Sequence, residues 1–323
     1  MRFSVIIPLF NKAPYVAKAI RSVLAQTYNG FELIVVDDGS QDDSAEIASR
    51  LIRGCENCRL IRQENQGVSM ARNTGVAVSH GEYLCFLDAD DWWEPTFLEE
   101  MAKLIEAFPD AGIYGTNYTI VNETKRKTRV AKIGVGEDFE KGYINYFSAY
   151  ASTMYMPLTS ISVAIPRGVF DEMHGFPKGI KLGEDFMLWV RIALKYKVAF
   201  LNKPLAYYNQ DVDASNRGVG KLYEPHEHML WNLKDLEPLE ISHEDYKNLV
   251  DALRVNALMP YYLSKEHRQA AALELQKVDW QRQPAQVKRE YKRPVGLLKL
   301  KYSLLKMGSS IKRIVLALSK GTL

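Results

Sequence analysis

Ser4–Leu9 (SVIIPL) is an unbroken apolar run, the pattern of a strand buried on both faces of a parallel sheet, and Pro8 is where its pairing is expected to stop. Over Pro14–Tyr28 the apolar positions change to helical spacing, with Val16, Ile20, Val23 and Leu24 on one face. Glu32–Val36 (ELIVV) is a second buried strand, running out into Asp37-Asp38-Gly39-Ser40. The pattern then predicts a helix carrying Ile47 and Leu51, a short strand near Arg59–Arg62, a helix over Ser69–Ser79 and a strand over Glu82–Leu87. Pro95 suits the first turn of a helix reaching about Phe108, and Ala111–Tyr118 (AGIYGTNY) is a further strand. Residues 119–150 are less regular, and the basic run Lys125–Lys132 (KRKTRVAK) reads as a solvated hairpin or loop. From Lys221 the pattern turns helical, with apolar positions such as Leu249, Leu253 and Leu258.

Strand–helix alternation of this kind predicts an α/β sheet with helices on both faces, in which ligands bind beyond the carboxyl ends of the strands. Asp38 and Asp88 both stand at such ends, so they should open on one crevice. The stretch GEYLCFLDADDWWEP sharpens the point, because it drives Tyr83–Leu87 into the core and leaves Asp88, Asp90 and Asp91 at the exit. Asp88-Ala89-Asp90 is a D-x-D, and its hard carboxylate oxygens suit Mg²⁺ or Mn²⁺ shared with a substrate's phosphates. Asp91 fits better as a helix cap. Of the two indoles that follow, one of Trp92 and Trp93 should be buried and one near the cleft.

Composition adds bounds. A 47% hydrophobic and 25% charged chain of 323 residues is of ordinary globular type, and no run approaches the length of a membrane span. Met1–Phe10 enters a strand directly, without a positive leader or a small-residue cleavage site, the pattern of a cytoplasmic protein. Cys55, Cys58 and Cys85 form no metal spacing with a second pair, so Cys55 and Cys58 read as two plain loop thiols. From Lys288 onward ten bases face the single acid Glu290, a balance of +9, which leaves −6 for the first 287 residues out of a total of +3. No nucleic-acid partner is expected, and any attraction to an anionic surface lives in that tail.

Taken together, SVIIPLFNKAPYVAKAIRSVLAQTY, FELIVVDDGSQDDS, NQGVSMARNTG, GEYLCFLDADDWWEP and LGEDFMLWVRI, in this order, resemble a family 2 inverting glycosyltransferase over about residues 1–215. The resemblance implies a GT-A (Rossmann-like), mostly parallel sheet flanked by helices, with a C-terminal helical extension. Residues 1–220 would be the glycosyltransferase domain, divided at 118 into a nucleotide-binding and an acceptor half. Residues 221–287 would be a helical region and 288–323 a basic amphipathic tail. It further implies a nucleotide-sugar donor, UDP by default, a Mg²⁺ or Mn²⁺ ion, and a glycan or lipid-linked acceptor in bacterial envelope polysaccharide synthesis. By the same resemblance Pro8 and Phe10 line the nucleotide pocket, Asp38 accepts from the base, Arg72 approaches the nucleotide, Asp88 holds the ribose and Asp90 the metal. Asp185 is then the general base of a single in-line displacement, with Glu184 as its neighbour.

The chain departs from that family in YYNQDVDASNRG, where Asn209 and Asp211 stand at positions commonly Arg and His; Asp211 is the expected further metal ligand. His226 and His228 read as surface residues of a helix. The motif Q-x-x-R-W of processive synthases is missing, so one sugar per encounter is expected. Other classes fit less well. A nicotinamide dehydrogenase would need G-x-G-x-x-G where PLFNKAP stands, a nucleotidyltransferase an early basic phosphate loop, and a non-catalytic binding relative a decayed D-x-D or Glu-Asp pair. In the tail, Leu297, Leu300, Leu304, Met307, Ile311, Ile314 and Leu318 alternate in steps of three and four. Two readings stay open: a peripheral helix on anionic membrane lipid, or a stripe packed on the body or on a second copy in a homodimer.

Overall fold

The structure, a computed structural model, describes residues 1–122, 124–211 and 221–302. It divides into two compact units, Met1–Tyr246 and the chain from Lys247 on, and the expected limit at 220 falls inside the first.

The first unit is built on a ten-stranded mixed sheet. Its strands are β1 (Phe3–Leu9), β2 (Phe31–Asp37), β3 (Cys58–Arg62), β4 (Tyr83–Phe86), β5 (Trp92–Trp93), β6 (Ala111–Asn122), β7 (Lys127–Val130), β8 (Lys141–Ile144), β9 (Val163–Pro166) and β10 (Lys197–Asn209). Its helices are α1 (Val16–Leu24), α2 (Ser44–Leu51), α3 (Val68–Ala77), α4 (Phe97–Ala107), α5 (Tyr146–Thr153), α6 (Arg167–Glu172) and α7 (Glu184–Lys195). The spatial order is β3-β2-β1-β4-β9-β6-β10-β5, with β7 on β6 and β8 on β10. The strands β3, β2, β1 and β4 run parallel, while β9 lies antiparallel between β4 and β6.

The alternation of α and β therefore stands where the apolar pattern put it, and β1 and β2 are buried at every position. Two details differ. Pairing does not stop at Pro8: β1 stays in register with β2 through Leu9 and is left by β4 after Ile6, so the proline falls beyond the end of the β4 ladder. Leu24, expected on the apolar face of α1, is 38% exposed because α1 buries Val16, Ala19, Ile20 and Val23 instead. The basic run forms an exposed hairpin strand, β7, antiparallel to β6.

This strand order fixes where a ligand can sit. The chain lays β2 and β3 on one side of β1 and then crosses to place β4 on the other, so the carboxyl ends of β1 and β4 flank a topological switch point. Phe10-Asn11-Lys12 leaves β1 there and Leu87–Asp91 leaves β4 there.

Cys55 and Cys58, expected as separate thiols, are joined in a disulfide; the C-x-x-C turn brings their Cα atoms to 5.3 Å, within bridging range. His228 is a second correction. It is buried, with Nδ1 accepting from Leu230 N–H at 3.2 Å, and burial lowers its pKa to about 4. His226 is exposed as expected, but the segment forms 3-10 turns at Pro225–Glu227 and Met229–Trp231 rather than a helix.

The second unit is helical, with Met259–Leu263, Arg268–Gln276 and Ala285–Tyr291, and a helical stretch over 295–302. There Leu298 is buried, while the expected stripe members Leu297 and Leu300 are 59% and 58% exposed. The other members of the stripe lie outside the described residues. Among the described residues no helix is long and apolar enough to cross a membrane.

Candidate active site

The organising residue is Arg72, on α3. Its guanidinium is buried and donates from Nη2 to Asp88 Oδ1 at 2.7 Å, from Nη1 to Glu184 Oε1 at 3.0 Å, and to Ser160 Oγ at 3.2 Å. One planar fork thus ties the end of β4 to the start of α7. Burial works against its charge, but Asp88 and Glu184 hold it firmly protonated.

Asp185 lies next to this clamp. It sits in the first turn of α7, and its Oδ1 accepts the Phe186 N–H at 2.7 Å. The carboxyl keeps part of its surface open but is ringed by protein, including Tyr146 and Tyr150. Burial, and then Glu184 beside it, push its pKa up to about 7, while Arg72 pulls the other way. A carboxylate poised there is suited to take a proton at neutral pH. Gly183, whose φ is +84°, makes the turn into α7, and a Cβ on it would meet Met229 Sδ at 2.2 Å.

Asp90 faces Lys12, whose Nζ stands 2.6 Å from Asp90 Oδ2. Burial raises the pKa of Asp90, with Lys12 opposing and Asp88 reinforcing the rise. Asp91 is not the helix cap expected of it. Thr96 precedes α4, and Asp91 is instead buried, accepting the Asn209 N–H at 2.7 Å and so pinning the end of β10 to the acidic loop. Burial and the neighbouring Asp90 and Asp88 push its pKa well up.

Asp38 is 3% exposed. Its Oδ1 accepts from Gln63 Nε2 at 2.7 Å and Gln66 N at 2.9 Å, and its Oδ2 from Gly67 N at 2.8 Å. It therefore anchors the 63–67 loop, and of the roughly four lone-pair sites of a carboxylate one remains, on Oδ2. Asp37 makes the turn contact of DDGS, accepting from Ser40 N at 3.2 Å. Pro8 is buried within β1, whereas Phe10 beyond it is 43% exposed at the rim.

Asp211 stands apart from this group. Both of its oxygens face Thr124 N at 3.3 Å, on the turn between β6 and β7, and the structure does not gather Asp88, Asp90 and Asp211 at common ligand spacing. Trp93 is the buried indole, donating to Ile161 O at 2.7 Å, and Trp92 is half-buried, stacked on Tyr207 with Lys18 Nζ 3.1 Å over its ring.

The carboxylate oxygens of Asp88 and Asp90 are of the hard type that divalent cations favour. Asp88 and Glu184 are met by Arg72 and Asp90 by Lys12, and burial first, then neighbouring carboxylates, raises the pKa values of Asp90, Asp91 and Asp185. Sequence reasoning passed over Lys12 and Ser160. Lys12 could have been found from its place, directly after a strand end that faces the D-x-D; Ser160 has no such signal, since only the fold brings it to Arg72.

The model of glycosyl transferase family 2 matches residues 4–166, a segment that holds Asp38, Arg72, Asp88 and Asp90 and stops short of Glu184 and Asp185. The glycosyltransferase GlyA of Streptococcus pneumoniae is 34% identical over 214 residues, covering 64% of this chain and 30% of its own length. A glycosyltransferase of Rickettsia felis is 32% identical over 209 residues, covering 64% of this chain and 32% of its own. The chain thus spans about a third of the length of these relatives. Among solved structures, S. aureus TarS 1–349 in complex with UDP-GlcNAc superposes with a TM-score of 0.70 at 18% identity, over 89% of this chain and 83% of that one.

Proposed function

Because the chain belongs to glycosyl transferase family 2, we propose that it moves one sugar from a nucleoside-diphosphate sugar to a hydroxyl of a glycan or lipid-linked acceptor, inverting the anomeric centre. The observation that supports this reading is the Arg72 clamp, which ties Asp88 at the end of β4 to Glu184 at the start of α7, beside the sheet's switch point.

The remaining acceptor site on Asp38 suits a ring N–H of the base, and Phe10 offers it an apolar face. UDP is the favoured nucleotide, in keeping with the UDP-GlcNAc complex of the structural neighbour. Asp88, whose Oδ1 accepts from Arg72 and whose Oδ2 accepts from Ser160 Oγ at 3.4 Å, keeps lone pairs for the ribose hydroxyls. Asp90 would hold Mg²⁺ or Mn²⁺, which supplies positive charge against that building on the departing diphosphate. Asp185 accepts the acceptor hydroxyl's proton as the new glycosidic bond forms and the bond from the anomeric carbon to the diphosphate breaks. Glu184 keeps Arg72 in place and raises the basicity of Asp185. No covalent sugar–enzyme bond is required.

The setting we propose is bacterial envelope polysaccharide synthesis on the cytoplasmic side, with the +9 tail bringing the cleft to an anionic membrane surface. A panel of nucleotide sugars screened for binding, then for turnover with Asp185→Asn and Asp90→Ala, tests the reading. Donor binding with transfer lost in both variants is expected; unchanged transfer in both overturns it.

A further inference from the structure

Lys12 has no part in the mechanism above, yet the backbone N–H groups of Asn11, Lys12 and Ala13 are each held by a side chain from another part of the chain. Asn11 takes a left-handed conformation at φ 51°, donates its N–H to Ser40 Oγ at 3.1 Å and accepts from Gln41 N at 2.8 Å on its side-chain oxygen. The Lys12 N–H donates to Ser44 Oγ at 2.7 Å, and the Ala13 N–H to Asp42 Oδ2 at 3.1 Å. Asp42 in turn accepts from Ser44 N and from Ser44 Oγ. Side chains of the loop after β2 and of the first residue of α2 thus fix the loop after β1 at three successive residues. The middle one, Lys12, sends its side chain across 78 positions of sequence to Asp90 Oδ2, in a pair only 16% and 17% exposed.

The sign of the charge is also informative. Lys12 stands just before α1 and its carbonyl accepts the Val16 N–H, so the residue is rooted at the positive end of a helix, where cations are disfavoured. A lysine kept there against the local field needs a strong anionic partner. In the free protein that partner is Asp90. On the donor reading above Asp90 also holds the divalent ion, and its Oδ2 cannot take an ammonium at 2.6 Å and that ion together.

We propose that Lys12 is a diphosphate-binding residue held in reserve on Asp90. In the free protein its ammonium fills the cation position and opposes entry of a metal alone. When the nucleotide-sugar arrives with its ion, Lys12 transfers to a phosphate oxygen and Asp90 passes to the metal, so that each charge exchanges one partner for another. Metal and nucleotide are thereby linked: each binds better with the other present, and Lys12 is the residue that couples them. This inference rests on the donor reading given above.

Equilibrium Mn²⁺ binding, followed by the electron paramagnetic resonance of the free ion, tests it with the full chain and no turnover. UDP is the probe nucleotide, with dTDP and GDP in parallel. In the wild type, UDP should tighten Mn²⁺ binding by roughly tenfold or more, within the usual range of site coupling. Lys12→Met should bind Mn²⁺ about fivefold or more tightly without nucleotide, bind UDP more weakly, and lose most of the coupling. Lys12→Arg should keep it. If Lys12→Met does not fold, Lys12→Gln is read in its place with the same expectations. A neutral variant whose nucleotide-free Mn²⁺ affinity equals or falls below that of the wild type, or whose coupling is intact, overturns the proposal and leaves the donor reading standing. A wild type that takes neither Mn²⁺ nor any of the nucleotides overturns both.

Discussion

Arg72 and Asp88 are joined at 2.7 Å although one lies on a helix and the other at a strand end, and the same guanidinium reaches Glu184 at 3.0 Å. With Arg72 buried, its loss leaves two acids facing each other without a counter-charge. Arg72→Met should therefore destabilise the fold by about 3 kcal/mol or more in chemical denaturation. Arg72→Lys keeps the charge but cannot bridge both carboxylates, and should lower transfer by roughly a hundredfold while donor binding survives in part.

As the general base proposed above, Asp185 sets a pH limb. A general base works deprotonated, so with a pKa of about 7 the transfer rate should fall tenfold per unit below that pH and level off above it. Glu184 raises that pKa through its own charge. In Glu184→Gln the limb should move to lower pH, and a limb that stays or rises would contradict the assignment.

Asp91 and its neighbour Asp90 separate in kind. Burial and adjacent acids favour the neutral form of Asp91, whose carboxyl accepts the Asn209 N–H. Asp91→Asn should leave the melting midpoint nearly unchanged, whereas Asp91→Ala should cost about 1–3 kcal/mol by orphaning that amide.

Asp90→Ala should abolish the response of transfer to added Mn²⁺. Asp211→Ala, engaged at Thr124, should retain that response with an unchanged midpoint. A midpoint shifted alike in both variants would place Asp211 at the metal after all.

Glu32 stabilises the opposite end of the sheet. It accepts from Ser4 Oγ at 2.8 Å, Arg59 Nη2 at 2.6 Å, His80 N at 2.5 Å and Gly81 N at 3.1 Å. Burial opposes its ionisation, yet these donors bring its pKa from 4.5 down to about 2. The carboxylate thus contributes stability that is complete above pH 4.5 and disappears as pH falls through about 2. Glu32→Gln should lower stability at neutral pH and should flatten the acid branch of the stability profile.

Much of this was legible along the chain. Runs such as SVIIPL and ELIVV can only be buried strands, and acids at their exits must meet something positive, so Asp88 and Asp90 were located by burial arithmetic alone. Arg72 and Asp185 were reached through resemblance, because a helix arginine and a helix-start acid look ordinary until the fold brings them together. Asp91 was misassigned because a cap and a strand-end anchor use the same acceptor chemistry, and only the long-range partner Asn209 tells them apart. His228 was read as a surface residue because a helix was expected; Pro225 and the pairing of Leu182 with His228 impose turns and carry the imidazole inward.

That last pairing bears on how the protein can be trimmed. Lys181 and Leu182 donate to Glu227 O at 2.7 and 3.2 Å, Met229 donates to Leu182 O at 3.0 Å, and Met229 fills the space over Gly183. The hinge that aims Glu184 and Asp185 is thus braced by a segment well beyond the family match. A fragment ending near residue 220 would carry every acid of the candidate site and still leave Asp185 without a fixed aim, so the shortest version worth expressing reaches Tyr246.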